Sequence, residues 1–200
     1  MLKLENISLK YGKNLVIDDL SYEFEEGKVT LILGESGIGK TSLLNIISAL
    51  IKPTEGTLVN THEKISYIFQ EPRLFEWLTA LENVSTVSDG ETARKMLTLM
   101  GLENSLEKYP SELSGGMKQR VSIARALAYD ASLVLLDEPF KGLDVERRRE
   151  VASTVFGLLR GRTAIMISHD EADIRYADTL LTLTSAPNTK LAKSNIVFDE

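Results

Sequence analysis

The chain contains no cysteine and only one tryptophan among its 200 residues. Without cysteine it can form neither a disulfide nor a thiolate metal site. Long hydrophobic runs are also absent, and no stretch approaches the roughly 18 apolar residues that a membrane-spanning helix needs. Residues 1–6 do not show the basic start and apolar core of a signal peptide. We therefore expect a chain that does not cross a membrane by itself. If it serves transport, the pore must be formed by another chain.

An excess of basic residues is absent too. The 23 lysines and arginines are outnumbered by 29 acidic residues, which gives a net charge of −6. This balance argues against general nucleic-acid binding, and no nucleic-acid partner is expected. The hydrophobic fraction of 43% and the charged fraction of 26% are typical of a globular protein. The length fits a single domain.

Hydrophobic periodicity predicts strands alternating with helices at both ends of the chain. Residues 29–33, 133–136 and 163–167 are short apolar runs typical of buried parallel strands, whereas helix-like segments dominate residues 71–129. The pattern predicts an α/β fold: a core with a mostly parallel sheet, an N-terminal antiparallel β region and an inserted helical subdomain. We expect a core of residues 1–70 and 130–184, the subdomain at 71–129, and a tail without motifs at 185–200.

A glycine-rich loop connects the strand at 29–33 to a helix expected over residues 41–51. The loop and the residue after it are Gly34, Glu35, Ser36, Gly37, Ile38, Gly39, Lys40, Thr41 and Ser42. Glycines at this spacing let backbone N–H groups surround an anion at a helix N-terminus. Lys40 is expected to reach the β- and γ-phosphates of a nucleotide, and the Thr41 hydroxyl to bind Mg²⁺. A chance match in a glycine-containing turn is the alternative, but the strand–loop–helix context favours a P-loop NTPase core.

Two carboxylates, Asp137 and Glu138, follow the apolar run at 133–136. Chemistry in open α/β sheets takes place at the carboxyl ends of the strands. Asp137 is expected to hold Mg²⁺, and Glu138 to orient or deprotonate the water that attacks the γ-phosphate. Taken alone, such a strand end before Pro139 is more typical of an ordinary strand-to-turn transition. The glycine loop is what makes the functional interpretation the stronger one.

A second candidate phosphate site begins at Ser114. Ser114 is a good N-cap for a helix, and Gly115 and Gly116 leave the backbone of its first turn unobstructed. An ordinary capped helix would show the same local pattern. Residues 113–120 nevertheless resemble the signature of ABC-type ATPases, in which the fifth residue is usually Gln rather than Met117.

This resemblance covers about residues 1–183 and implies roles for further residues. Tyr11 stands where the family places an aromatic ring on adenine, and Gln70 where a glutamine touches Mg²⁺ and the attacking water. Residues 142–144 correspond to a loop at the dimer interface, and His169 to a histidine that contacts the γ-phosphate. Each has a structural alternative: a turn aromatic for Tyr11, turn residues for Gln70 and Asp144, and a strand-end histidine for His169. No role follows for His62.

The resemblance implies Mg²⁺-dependent ATP hydrolysis by a head-to-tail homodimer at the cytoplasmic face of the cell membrane. Residues 71–84 resemble the corresponding segment of bacterial importers of the nitrate, sulfonate and taurine type. In that group the surface near residues 70–78 docks onto a transmembrane permease subunit. Phe75 and Trp77 are candidate anchors there, and the alternative is that they pack inside the helical subdomain.

Two other functional classes remain open on the sequence. The first is a soluble ABC-type ATPase acting on DNA, ribosomes or Fe–S assembly, although the chain has neither a second cassette nor long coiled coils. The second is a regulatory module without turnover, which the presence of Glu138 and His169 opposes. Met117 departs from the usual family pattern, and we expect the tuning of the ATPase activity to be reduced rather than the activity to be lost. The Lys141-Gly142 pair departs from it too, and we expect altered geometry at the dimer interface there.

Overall fold

The computed structural model describes residues 1–194. Its strands are β1 (Leu2–Tyr11), β2 (Asn14–Phe24), β3 (Val29–Leu33), β4 (Glu55–Asn60), β5 (Ile65–Ile68), β6 (Leu133–Asp137), β7 (Thr163–Ile167), β8 (Thr179–Leu183) and β9 (Leu191–Lys193). Its α-helices are α1 (Lys40–Ile47), α2 (Ala80–Ser85), α3 (Gly90–Leu99), α4 (Gly115–Ala128) and α5 (Val145–Leu159), and short 3₁₀ turns lie at Glu103–Ser105, Pro110–Glu112 and Glu171–Tyr176. Among these residues, no helix combines the length and the apolar character needed to cross a membrane.

The strands form two sheets. The main sheet has six strands in the order β5-β6-β7-β3-β8-β9, all parallel except β9, which runs antiparallel to β8. The smaller sheet, ordered β2-β1-β4, is antiparallel. The predicted α/β class, with a mostly parallel sheet, an N-terminal antiparallel region and added helices, is confirmed.

Successive residues of the main strands face two separate cores, as the period of a strand requires. On β6, Val134 and Leu136 belong to a core shared with α2–α5, whereas Leu133 and Leu135 belong to a core shared with α1 and the smaller sheet. All four side chains are fully buried. Because a parallel sheet covered on both faces has no solvent-facing side, these strands are predominantly apolar, and the sheet gives the site a rigid base.

Side-chain caps define the starts of the helices in residues 80–128. Thr79 and Glu82 form a reciprocal capping box at α2, Asp89 caps α3 and Ser114 caps α4. Each cap satisfies an N–H group that lacks a partner within its helix. The Asp89 cap therefore starts a separate helix within the segment predicted to be helical, while the division of the chain into core and subdomain stays a prediction.

Three segments differ from the sequence-based expectation. Strand β4 was not predicted because Gly56 interrupts its apolar pattern, yet a Cβ there would clash with the Asn6 carbonyl oxygen, so glycine is what allows this close pairing with β1. Helix α1 ends at Ile47, before the expected residue 51, and Ala49 takes a left-handed conformation with φ 60°. Strand β9 lies within the expected tail and extends the main sheet.

Candidate nucleotide site

A cleft of about 570 Å³ lies at the carboxyl edge of the main sheet. Its walls come from β1 and β2, the glycine loop, α1, and the segments that follow β5, β6 and β7. The lining residues are Tyr11, Val16, Ser36, Gly37, Gly39, Lys40, Thr41, Ser42, Gln70, Glu138, Lys141, Ile167 and His169. The parallel sheet thus brings together residues that are up to 158 positions apart in the sequence, from Tyr11 to His169.

The glycine loop ends at the N-terminus of α1. Gly39 occupies the N-cap position with φ 107°, and no side chain caps the helix. A Cβ at Gly39 would lie 2.9 Å from the Val16 Cγ1 atom, so both the backbone angle and the close approach of β2 require glycine. The first N–H groups of α1 are therefore available to an anion, and the helix dipole favours negative charge at this end.

The Lys40 side chain lies along the glycine loop and is almost entirely buried. Its Nζ atom donates hydrogen bonds of 2.7 Å to the carbonyl oxygens of Gly34 and Glu35. Burial lowers the pKa of Lys40 below its usual value, and the nearby carboxylates of Glu138 and Asp137 act in the opposite direction. A further anion next to Lys40 would favour its charged form.

Asp137 ends β6 and is buried beneath the cleft, with 3% of its surface exposed. Burial raises the pKa of Asp137, and a hydrogen bond from the Thr41 hydroxyl partly opposes this effect. Within residues 1–194, no cluster of three or more carboxylate and imidazole groups could hold a metal ion alone. The pair of Asp137 and the Thr41 hydroxyl nevertheless fits a hard cation that takes its remaining ligands from phosphate oxygens.

The Glu138 carboxylate is surrounded by three donors. His169 Nε2 lies 3.0 Å from Oε1, while Gln70 Nε2 lies 3.4 Å and Lys141 Nζ 3.6 Å from Oε2. The Glu138 backbone is left-handed, with φ 46°, and its N–H donates to the Ile167 carbonyl oxygen at 3.0 Å. A non-glycine residue in this conformation costs about 1–3 kcal/mol, and such residues concentrate at functional sites. The backbone directs this carboxylate into the cleft at an energetic cost.

The second predicted phosphate site lies apart from this cleft. Ser114, Gly115 and Gly116 are not among the described residues that line it. Ser114 caps α4 by accepting a hydrogen bond from the Met117 N–H at 3.3 Å. A Cβ on Gly116 would come within 3.2 Å of Leu143 Cδ2, so the start of α4 packs directly against the loop at 142–144. Within one chain, the two candidate phosphate sites do not form a common cavity.

Lys141 and Val16 line the cleft but were not among the predicted site residues. Lys141 was considered only as a departure at the interface loop, and its spacing of three residues from Glu138 was the signal that could have placed it here. Val16 contacts the site through the pairing of β2 with β1, for which the sequence carries no local motif. Tyr11, predicted to stack on adenine, is half exposed at the rim, with its hydroxyl 3.5 Å from Ser42 Oγ.

Two exposed aromatic side chains lie beyond Gln70. Trp77 is 73% exposed and Phe75 is 39% exposed, and their ring centroids are 5.4 Å apart. The buried Asn83 holds their loop by accepting a hydrogen bond from the Phe75 N–H and donating to the Phe75, Leu78 and Thr79 carbonyl oxygens. The alternative that Trp77 packs inside the helical subdomain is wrong.

Comparison with known proteins decides the family. A model of the family described as ABC transporter matches residues 17–141 of the chain. The chain belongs to this family. The bicarbonate transport ATP-binding protein CmpD of Synechocystis sp. (strain ATCC 27184 / PCC 6803 / Kazusa) is similar at 34% identity over 96% of this cassette and 77% of the relative. The taurine import ATP-binding protein TauB of Jannaschia sp. (strain CCS1) is similar at 36% identity, over 93% and 78% respectively.

Solved structures of the family show the same fold. The ATP-binding cassette MJ0796, in a dimeric post-hydrolysis state bound to ADP and Pi, aligns with a TM-score of 0.88 at 28% identity. The alignment covers 100% of both chains. The cassette described here is therefore an ATP-binding and ATP-hydrolysing subunit of ABC-transporter type. The resemblance to the importer group is confirmed, and transport is favoured over the soluble alternative.

Proposed function

We propose that the cassette hydrolyses Mg²⁺-ATP in a site shared by two copies of the chain and thereby powers solute import. The observation that carries this proposal is the meeting of the Lys40, Gln70, Glu138 and His169 side chains in one cleft, from which the Ser114 segment is absent. The first group can hold and hydrolyse a nucleotide. The Ser114 segment supplies a helix N-terminus that can reach such a nucleotide only from another copy of the chain.

The glycine loop would bind the phosphates. The backbone N–H groups of residues 34–42 and the N-terminus of α1 supply donors, and Lys40 places its charge at the β- and γ-phosphates. Tyr11 at the rim would stack on adenine. Mg²⁺ would be held by Thr41, Asp137 and Gln70, and when bound it neutralises charge that develops on the phosphates.

Glu138 would orient the attacking water and accept its proton. Its contacts with His169 and Gln70 fix the carboxylate at the mouth of the cleft. His169 Nε2 would stabilise the γ-phosphate, and Gln70 would orient the same water through its amide. Ser114, Gly115 and Gly116 of a second copy would then close over the γ-phosphate, since two helix N-termini are stabilised by the charge between them.

The shared site is tested by ATP-dependent dimerisation. We expect Glu138→Gln, which should bind ATP and hydrolyse it slowly, to elute as a dimer in size-exclusion chromatography with Mg²⁺-ATP. Adding Ser114→Arg should return it to a monomer, because a bulky cation blocks the second phosphate site. Ser153→Arg, at an exposed position of α5, serves as the matched control and should leave the dimer intact. A Ser114→Arg variant that still dimerises would contradict the shared site.

The coupling surface is proposed to lie at residues 70–78, where Phe75 and Trp77 are exposed a few residues after Gln70 in the chain. An exposed aromatic pair held by a buried asparagine is typical of an anchor for a partner protein. The partner would be a transmembrane permease subunit, which holds the cassette at the cytoplasmic face of the membrane. This surface links the partner directly to Gln70 in the nucleotide cleft.

The docking proposal is tested by co-purification with a multi-span membrane protein from the source cell. Trp77→Ala should reduce recovery of that partner about tenfold or more, the scale of a central aromatic contact. Tyr109→Ala removes another exposed aromatic of the same helical region and should leave recovery unchanged. Equal recovery with both variants would exclude Trp77 as an anchor.

A further inference from the structure

A network of charged side chains connects the first turn of α5 with the segment around His169. Arg148 Nη2 donates a hydrogen bond of 2.8 Å to Asp173 Oδ2. The other guanidinium nitrogen, Nη1, forms an ion pair with Asp170. One arginine fork therefore holds two carboxylates from the segment that follows β7, a geometry for which arginine is better suited than lysine.

Both chain neighbours of His169 are bound into this network. The Ser168 hydroxyl donates to the same Asp173 Oδ2 atom at 2.5 Å and accepts a hydrogen bond from the Asp170 N–H at 3.0 Å. Ser168 and Asp173 are almost completely buried, with 4% and 2% of their surfaces exposed. Because a buried polar network with satisfied partners is rigid, His169 is held on both sides.

The other end of the network reaches the loop at 142–144. The Arg148 N–H donates to the Asp144 carbonyl oxygen at 2.8 Å, and the Asp144 side chain caps α5 through the Arg147 N–H at 2.9 Å. Arg148 thus lies one helical turn after the loop that contacts Gly116 at the start of α4. Arg148 therefore connects that loop to both neighbours of His169 through hydrogen bonds and ion pairs.

We propose that Arg148 is a positioning residue that fixes His169 against Glu138 through Ser168, Asp170 and Asp173. In this way the position of the imidazole depends on the interface loop. Arg148 is not among the residues that line the nucleotide cleft, so its effect passes through His169 and not through contact with ATP. The inference rests on the role proposed above for His169. A small displacement of a catalytic group is enough to slow turnover severely.

The first test separates binding from turnover. Arg148→Met should lower kcat for ATP about 10- to 100-fold, the scale of a misplaced catalytic group, while KM changes little. Arg148→Lys keeps the charge but loses the two-pronged guanidinium contact with Asp170 and Asp173, so it should retain an intermediate kcat. If Arg148→Met does not fold, Arg148→Lys provides the test. Arg147→Met removes an exposed arginine of the same helix that pairs with Glu150 at 2.7 Å, and it should keep wild-type kcat.

The second test is a double-mutant cycle, followed with radiolabelled ATP so that slow variants remain measurable. In a His169→Ala background, Arg148→Met should cause no further loss of kcat, because its effect passes through the missing imidazole. A further loss of the same size there, or wild-type kcat in folded Arg148→Met and Arg148→Lys, would overturn the inference. Wild-type kcat in His169→Ala itself would instead overturn the proposed role of His169, and this inference with it.

Discussion

At the amino-terminal edge of the main sheet, Glu26 lies 2.7 Å from the Met1 amino group and 3.2 Å from His62 Nε2. The hydrogen bond from this amino group, aided by His62, lowers the pKa of Glu26 below its usual value. At the opposite edge, burial raises the pKa of Asp137 and lowers that of Lys40. The charged form of Glu26 is thus favoured at one edge, and the charged forms of Asp137 and Lys40 are disfavoured at the edge of the proposed nucleotide site.

Cavity size alone would point to the wrong edge. The cleft at the amino-terminal edge has a volume of about 940 Å³, against about 570 Å³ for the nucleotide site. Several of its ionisable groups pair with one another, as Arg162 does with Asp130 at 2.7 Å. What distinguishes the carboxyl edge is that burial shifts the pKa values of both Asp137 and Lys40 against their charged forms, a property that concentrates at functional sites.

The largest expected effect compares the same substitution at the two edges. Glu138→Gln should lower kcat roughly 100-fold or more, because it removes a positioned proton acceptor, while leaving ATP affinity near normal in calorimetry. Glu26→Gln is the matched control at the other edge and should keep the wild-type kcat. Near-normal steady-state ATPase activity in Glu138→Gln would show that this edge does not carry the chemistry.

The second comparison concerns stability without nucleotide. Asp137→Asn should raise the free energy of unfolding at pH 7 by about 0.5–2 kcal/mol, since it removes a buried charge, while Mg²⁺-dependent ATPase activity falls. The folded-state pKa of Asp137 lies above the usual 3.8. The destabilisation from burying the ionised carboxylate is therefore fully present in the wild-type chain above that folded-state pKa. It is absent below pH 3.8, where the carboxyl is protonated in both states. Chemical denaturation at several pH values measures the free energy of unfolding of both proteins. If Asp137→Asn were still the more stable at pH 3, the buried charge could not be the cause.

Glu26→Gln supplies the control of opposite sign. The lowered folded-state pKa of Glu26 means that its contribution is present above the usual value of 4.5 and lost as the pH falls through the folded-state pKa. Its side chain is half exposed, so solvent screening limits the expected loss in Glu26→Gln to about 1 kcal/mol or less. A Glu26→Gln variant with a higher free energy of unfolding than the wild type would contradict the predicted difference between the two edges.

The sequence predicted which loop and which strand ends meet in the cleft because the motifs there are local. The glycine loop needs one strand, one turn and one helix, and each has a strong signal within about ten residues. Gln70, Glu138 and His169 follow apolar runs that predict parallel strands, so the rule that chemistry lies at their carboxyl ends brings them together. The structure places all three in the cleft.

Contacts between distant segments could not be predicted in this way. Val16 reaches Gly39 only because β2 pairs with β1 in a particular register, and β4 exists because Gly56 permits close approach to Asn6. The network around Arg148 joins residues on two different elements. In the sequence, its charged residues cannot be distinguished from those of an ordinary solvated helix face. Such features depend on tertiary packing, which overrides local propensity.

The left-handed backbone at Glu138 has a consequence for anyone who redesigns this protein. Glycine or asparagine would fit φ 46° with less strain than glutamate does. A procedure that scores each residue by its agreement with the backbone would therefore replace Glu138, and a library selected for thermal tolerance would favour the same change. Such variants would be better folded but, given the role proposed for Glu138, would hydrolyse ATP at least about 100-fold more slowly, so a design effort must hold position 138 fixed.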